Sequence, residues 1–98
     1  MDDDALLRTA ADRLEALAAR STAGDWRVGG LLASRPEVIS HREGGTEHVA
    51  EARAGSAAWI SALSPAVAAP LAAWLRAAVP TDAAAVAVAR ILVGRLPG

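Results

Sequence analysis

The chain predicts an α+β fold, on three observations. Apolar residues recur at helical spacing near both ends, and two Gly-Gly pairs punctuate short strand-like runs in the middle. Charge is also lopsided: 17 of the 21 charged residues lie within residues 1–53, and 22 uncharged residues separate Arg53 from Arg76. The expected arrangement is a single domain over residues 1–98. It has an N-terminal helix (1–24), a three- or four-stranded antiparallel meander (25–53) and two or three C-terminal helices (54–98) packed on one sheet face.

Asp2, Asp3 and Asp4 open the first helix, expected over residues 3–20. Aspartate caps free backbone N–H groups and places negative charge at the positive end of the helix dipole. Leu7, Ala10, Leu14, Leu17 and Ala18 form its apolar stripe. Arg8 stands four residues from both Asp4 and Asp12, and such pairs contribute about 0.2–0.5 kcal/mol each. Gly24 marks the stop.

Trp26-Arg27-Val28 reads as a strand, turned by Gly29-Gly30 into Leu31-Leu32-Ala33, because glycine accepts the positive φ of a tight hairpin. Arg35-Pro36 is the next turn. Gly44-Gly45 then joins a strand over 37–43 to one over 46–52. These strands are short and polar, so one sheet face is expected to be open to water.

Beyond the meander the period becomes helical. Ser56 is expected to cap a helix over 57–63, and Ser64-Pro65 to start the next, with Val67, Leu71, Trp74, Leu75 and Ala78 as its stripe. Pro70 is expected to kink that helix near its start. Pro80-Thr81-Asp82 ends it and caps a last helix over 82–94. That helix is apolar nearly all round, with Val86, Val88, Ile91, Leu92 and Val93, and so is expected to be buried on every side.

Composition bounds the function. The chain has 26 alanines and no Lys, Asn, Gln, Cys, Phe or Tyr, a profile of high-GC coding sequence. At about 25 cal/mol per Å² of apolar surface, alanine adds little to a core, and a second subunit is one way to enlarge it. A net charge of −1 with scattered arginines gives no basic face for duplex nucleic acid. Without cysteine there is no disulfide, thiol catalysis or cysteine zinc site. The acidic N-terminus is unlike a signal peptide, so the expected location is cytoplasmic. The 22 uncharged residues reach the length of about 20 that a membrane span needs. Ser61, Ser64, Pro65, Pro70 and the weak hydrophobicity of alanine argue for soluble helices instead.

Two histidines are the leading chemical candidates. With Gly44-Gly45 as a two-residue turn, His41 opposes His48 and Arg42 opposes Glu47 on the other face. Opposed residues lie about 4.5–5.5 Å apart at Cβ, so the imidazoles are weak candidates to share a metal. Glu37, Ile39 and Ala50 fall on the same face, but only Glu37 or Glu43 could supply the third protein ligand that a catalytic zinc takes. The plainer expectation is a solvated cross-strand pair. Trp26, Trp59 and Trp74 read as core residues ahead of base-stacking platforms. The serines lack a nucleophile-elbow context, and the Gly-Gly pairs lack the spacing and lysine of a phosphate loop. Neither catalytic residues nor a cofactor is expected.

Ser21-Thr22-Ala23-Gly24-Asp25-Trp26-Arg27-Val28 follows a leucine-patterned helix, and Ser56-Ala57-Ala58-Trp59-Ile60-Ser61-Ala62-Leu63-Ser64-Pro65 follows a strand region. This order resembles the small Ead-like proteins of phages and prophages and related proteins of high-GC actinobacteria, over about residues 5–78. Those carry T-P-G-P-W, a short meander, then A-x-[FW]-I-A-A leading into a helix. Ala23 and Asp25 stand where the family has prolines. The resemblance implies a fold and a phage-related setting, and no catalytic mechanism.

The functional expectation is therefore a small non-enzymatic interaction protein, binding a protein partner or forming a homodimer, with Leu71, Trp74, Val86 and Ile91 as the interface. The alternative is a small-ligand or nucleotide binder using Trp26, His41, His48 and Arg42.

Overall fold

The computed structural model describes residues 1–30 and 36–98. They form an α+β structure of two compact units, one of Met1–Arg20 with Val67–Gly98 and one of Ser21–Ala66.

The first unit is helical. Helix α1 (Asp3–Ala19) is capped by Asp2, whose carboxylate accepts from the Ala5 N–H at 2.7 Å. Asp3 and Asp4 occupy its first turn. The second of its helices, here called α3, spans Ala68–Ala77, and α4 spans Ala83–Arg95; Asp82 caps α4 by accepting from the Ala85 N–H at 3.1 Å. Helix α1 packs against both α3 and α4.

The core of this unit is Leu6, Leu7, Ala10 and Ala11 from α1, Ala72 and Leu75 from α3, and Ala85, Val86 and Ala89 from α4. Five of these nine are alanine. Interaxial distance depends on the side chains at the contact, so small ones let the helices approach closely. Polar contacts frame the core. Arg76 on α3 reaches Asp12 of α1 at 2.8 Å and also pairs with Glu15. Hydrogen bonds to Asp12 and then Glu15 raise the guanidinium pKa above its ordinary value. Arg90 on α4 pairs with Asp3 at 3.4 Å. Arg13 donates to the Val93 carbonyl at 3.5 Å, in the last turn of α4, where a cation complements the helix dipole.

Three helical expectations change. Helix α4 is not buried on every side: only its Ala85, Val86 and Ala89 face is enclosed, and Ile91 is 63% exposed. Alanines at exposed positions 83, 84 and 87 disguise the polar side of this helix, because they read as apolar yet cost little in water. Helix α3 buries Ala68, Ala72 and Leu75, which turns Trp74 outward. Pro70 falls within its first turn, where no N–H bond is lost. Pro65–Val67 is a 3₁₀ turn ahead of the α-helix.

The second unit is a three-stranded antiparallel sheet in the order β1 (Asp25–Gly29), β2 (Glu37–Arg42), β3 (Gly45–Glu51), with helix α2 (Ala54–Ala62) packed against β1 and β2. Val38 and Ser40 are fully buried on one face. The Ser40 hydroxyl donates to the Ala23 carbonyl, and Gly24 beside it has φ +112°. A Cβ there would lie 2.9 Å from the His41 carbonyl, so this turn position requires glycine.

Gly29-Gly30 is not a two-residue turn, because Gly29 ends β1 paired with Glu37. The expected strand at Leu31-Leu32-Ala33 and the Arg35 end of the Arg35-Pro36 turn lie outside the described residues. Ser56 does not cap α2. That helix starts three residues earlier than expected, at Ala54 from Arg53, with no side-chain cap. Ser64 opens only the 3₁₀ turn Pro65–Val67, where its buried hydroxyl accepts from the Ala66 N–H at 3.4 Å, and the α-helix expected to start there begins at Ala68, from Val67 and without a side-chain cap. The stretch Ala54–Ala77 is long and apolar enough, by length and composition, to cross a membrane; here it is two helices separated at Leu63-Ser64.

Leu75→Ala should lower unfolding free energy by about 2–5 kcal/mol, as cavity-forming substitutions do. Ile91→Ala should change it by less than about 0.5 kcal/mol. Denaturant titration of the two variants checks the placement of both side chains.

Candidate functional site

The β2–β3 hairpin carries most of the polar side chains singled out by sequence. Its loop is Glu43-Gly44, one residue earlier than the Gly-Gly pair suggests, and Arg42 faces Gly45 across it. A turn centred on Gly44-Gly45 would place both glycines in the loop. Instead Glu43 keeps negative φ, Gly44 carries the turn at φ +93°, and Gly45, also at positive φ (+150°), enters β3.

The register moves accordingly. His41 faces Thr46 and His48 faces Ile39, so the two histidines share a face as diagonal neighbours rather than opposed partners. A bulge between Val38 and Ile39 shifts the register again and places Ala50 opposite Val38, on the other face from His48. His48 Nδ1 lies 3.7 Å from the Glu37 carboxylate. Among the described residues, no group of three His, Asp or Glu side chains is placed to hold a metal ion.

Paired residues share a face, so Trp26 and Arg42 lie on the Ser40 side, while His41 and His48 lie on the opposite side. The fold therefore does not gather Trp26, Arg42, His41 and His48 into one site. Trp26 is half-buried, with its indole N–H donating to the Thr22 carbonyl at 3.0 Å. Arg42 meets Glu47 at 3.3 Å in the exposed ion pair that alternation suggests, reached diagonally because Glu47 faces Ser40. Asp25 and Arg27, on the histidine side, pair with each other at 2.6 Å.

The four residues expected at an interface also divide. Val86 is a core residue of the helical unit, and Leu71 is half-buried. Trp74 is 41% exposed and Ile91 more so.

The apolar surface that sequence reading missed is on α2. Trp59, expected in the core, is 69% exposed, and Leu63 at the C-cap is 54% exposed. They stand four residues apart on one helix face, beside exposed Gly55, Ala58 and Ala62. Ala57, on the opposite side, is fully buried. No charge within 54–63 marks the outer face of this helix, which is why periodicity alone did not find it. Its legible signal is a glycine placed one turn before a tryptophan in an otherwise helix-favouring run.

No family model, curated protein or solved structure matches the chain.

A double-mutant cycle on Arg42 and Glu47 should give a coupling below about 1 kcal/mol, the range of exposed pairs. A larger coupling, measured by thermal unfolding, would mean that this hairpin is far less solvated than its exposure indicates.

Proposed function

We propose that this chain is a small non-enzymatic accessory protein that acts by binding protein, a partner or a second copy of itself, in the bacterial cytoplasm. The observation that carries the reading is the uncharged outer face of α2 with Trp59 and Leu63 exposed on it. Tryptophan is enriched among residues that dominate binding energy, and adjacent exposed apolar side chains on a small protein mark contact surfaces. Exposed Trp74 and Ile91 on the helical unit add to the apolar surface available for contact. The resemblance to Ead-like proteins supports a phage- or prophage-related setting. Scattered arginines and a net charge of −1 favour a protein partner over duplex nucleic acid. The alternative of a ligand or nucleotide site on the meander draws less support, because Trp26 and Arg42 lie on the opposite sheet face from His41 and His48.

The test combines sedimentation equilibrium of the purified chain with affinity capture and identification of bound proteins from a bacterial lysate. The expected result is self-association or one reproducible partner, lost in Trp59→Glu while the helical circular dichroism is retained. A strict monomer that retains no protein contradicts the proposal.

A further inference from the structure

We infer that the outer face of α2 binds a second copy of this chain, with the two α2 helices antiparallel about a two-fold axis at Trp59. The inference rests on the protein-binding reading above and commits it to one occupant.

Three observations point to a second copy. The first is self-complementary spacing. Gly55, Trp59 and Leu63 recur every four residues, so a two-fold axis at Trp59 sets Trp59 against its equivalent and Leu63 of each copy over Gly55 of the other. Exposed Ala58 and Ala62 on the same face keep the two backbones close.

The second is Gly55 itself. A Cβ built there meets nothing within 4 Å, and its φ is not in the left-handed region. Among the described residues nothing within the chain requires glycine there. The close approach of a leucine from another copy supplies a reason for it.

The third is electrostatic. Helices α1 and α4 each carry an aspartate N-cap that accepts a backbone hydrogen bond. Helix α2, like α3, has neither a side-chain cap bond nor an acidic residue in its first turn, and unlike α3 it has no basic residue in its last turn. Its N-cap residue is Arg53, which adds positive charge to the positive end of the dipole. An antiparallel copy brings the carbonyl end of one α2 against the N–H end and Arg53 of the other. Both ends are then compensated across the interface.

Because the chain has no cysteine, the arrangement can be trapped directly. Gly55→Cys and Leu63→Cys chains, mixed and treated with a short bis-maleimide, should cross-link to each other, while Gly55→Cys alone should not. Sedimentation should show a dimer that Trp59→Glu weakens at least tenfold. Arg53→Glu should weaken it by roughly two- to fivefold, the size of a dipole contact, while the helical signal is unchanged or raised. That combination separates a lost interface from a lost fold. Preferential Gly55–Gly55 cross-linking would mean a parallel pair and overturns the inference. So does a dimer that dissociates on Trp74→Glu or Ile91→Glu but not on Trp59→Glu, although the protein-binding reading then survives. A monomer overturns it as well; a different protein captured through Trp59 would leave only the broader reading standing, and no captured protein at all would remove both.

Discussion

Small side chains govern how this chain closes its helical core. With 26 alanines and no phenylalanine or tyrosine, it cannot fill space between widely separated helices. It brings the helices close instead: α1 meets α3 and α4 through Ala10, Ala11, Ala72, Ala85 and Ala89, with Leu6, Leu7, Leu75 and Val86 filling the remaining space. Alanine loses no side-chain entropy on burial, which suits it to such contacts. It also removes little apolar area from water, so the driving force per residue is low. The Asp2 and Asp82 caps and the links from Arg76, Arg90 and Arg13 to neighbouring helices therefore matter more for fixing helix ends and relative rotation than they would around a bulky core.

The same constraint explains where Trp74 goes. A close helix contact has no room for an indole, and Trp74 points outward while Ala72 and Leu75 point in. In the sheet-containing unit, α2 buries Ala57 and leaves Trp59 outside. This division sets alanines with Leu7, Leu75 and Val38 inside and two of the three tryptophans outside. It leaves apolar area uncovered in a chain already short of buried area, and association is the physical remedy for both.

The fold was legible where local chemistry decides it. Aspartate caps located α1 and α4, Ser64-Pro65 located the 3₁₀ turn that leads into α3, and the alternation around Arg42 and Glu47 located their exposed pair. It was not legible where two local solutions compete. Gly44-Gly45 could enter the turn as a pair or singly, and the choice shifted His41 from His48 to Thr46. The bulge at Val38/Ile39 reset the far end of the same ladder. Helix faces failed for a different reason: alanine scores as apolar on either side of a helix, so neither α2 nor α4 reveals its solvent side by periodicity. Gly55, unremarked among the turn glycines, was the better pointer to the exposed face.

A small chain that leaves Trp59 and Leu63 in water should gain stability when a second copy covers them. The most direct measurement is the thermal unfolding midpoint as a function of protein concentration. Binding that favours the folded state makes that midpoint concentration-dependent. The midpoint should climb steadily from micromolar to millimolar protein, and the climb should vanish in Trp59→Glu. A midpoint that stays constant across that range would contradict the claim that α2 is built to meet its own copy.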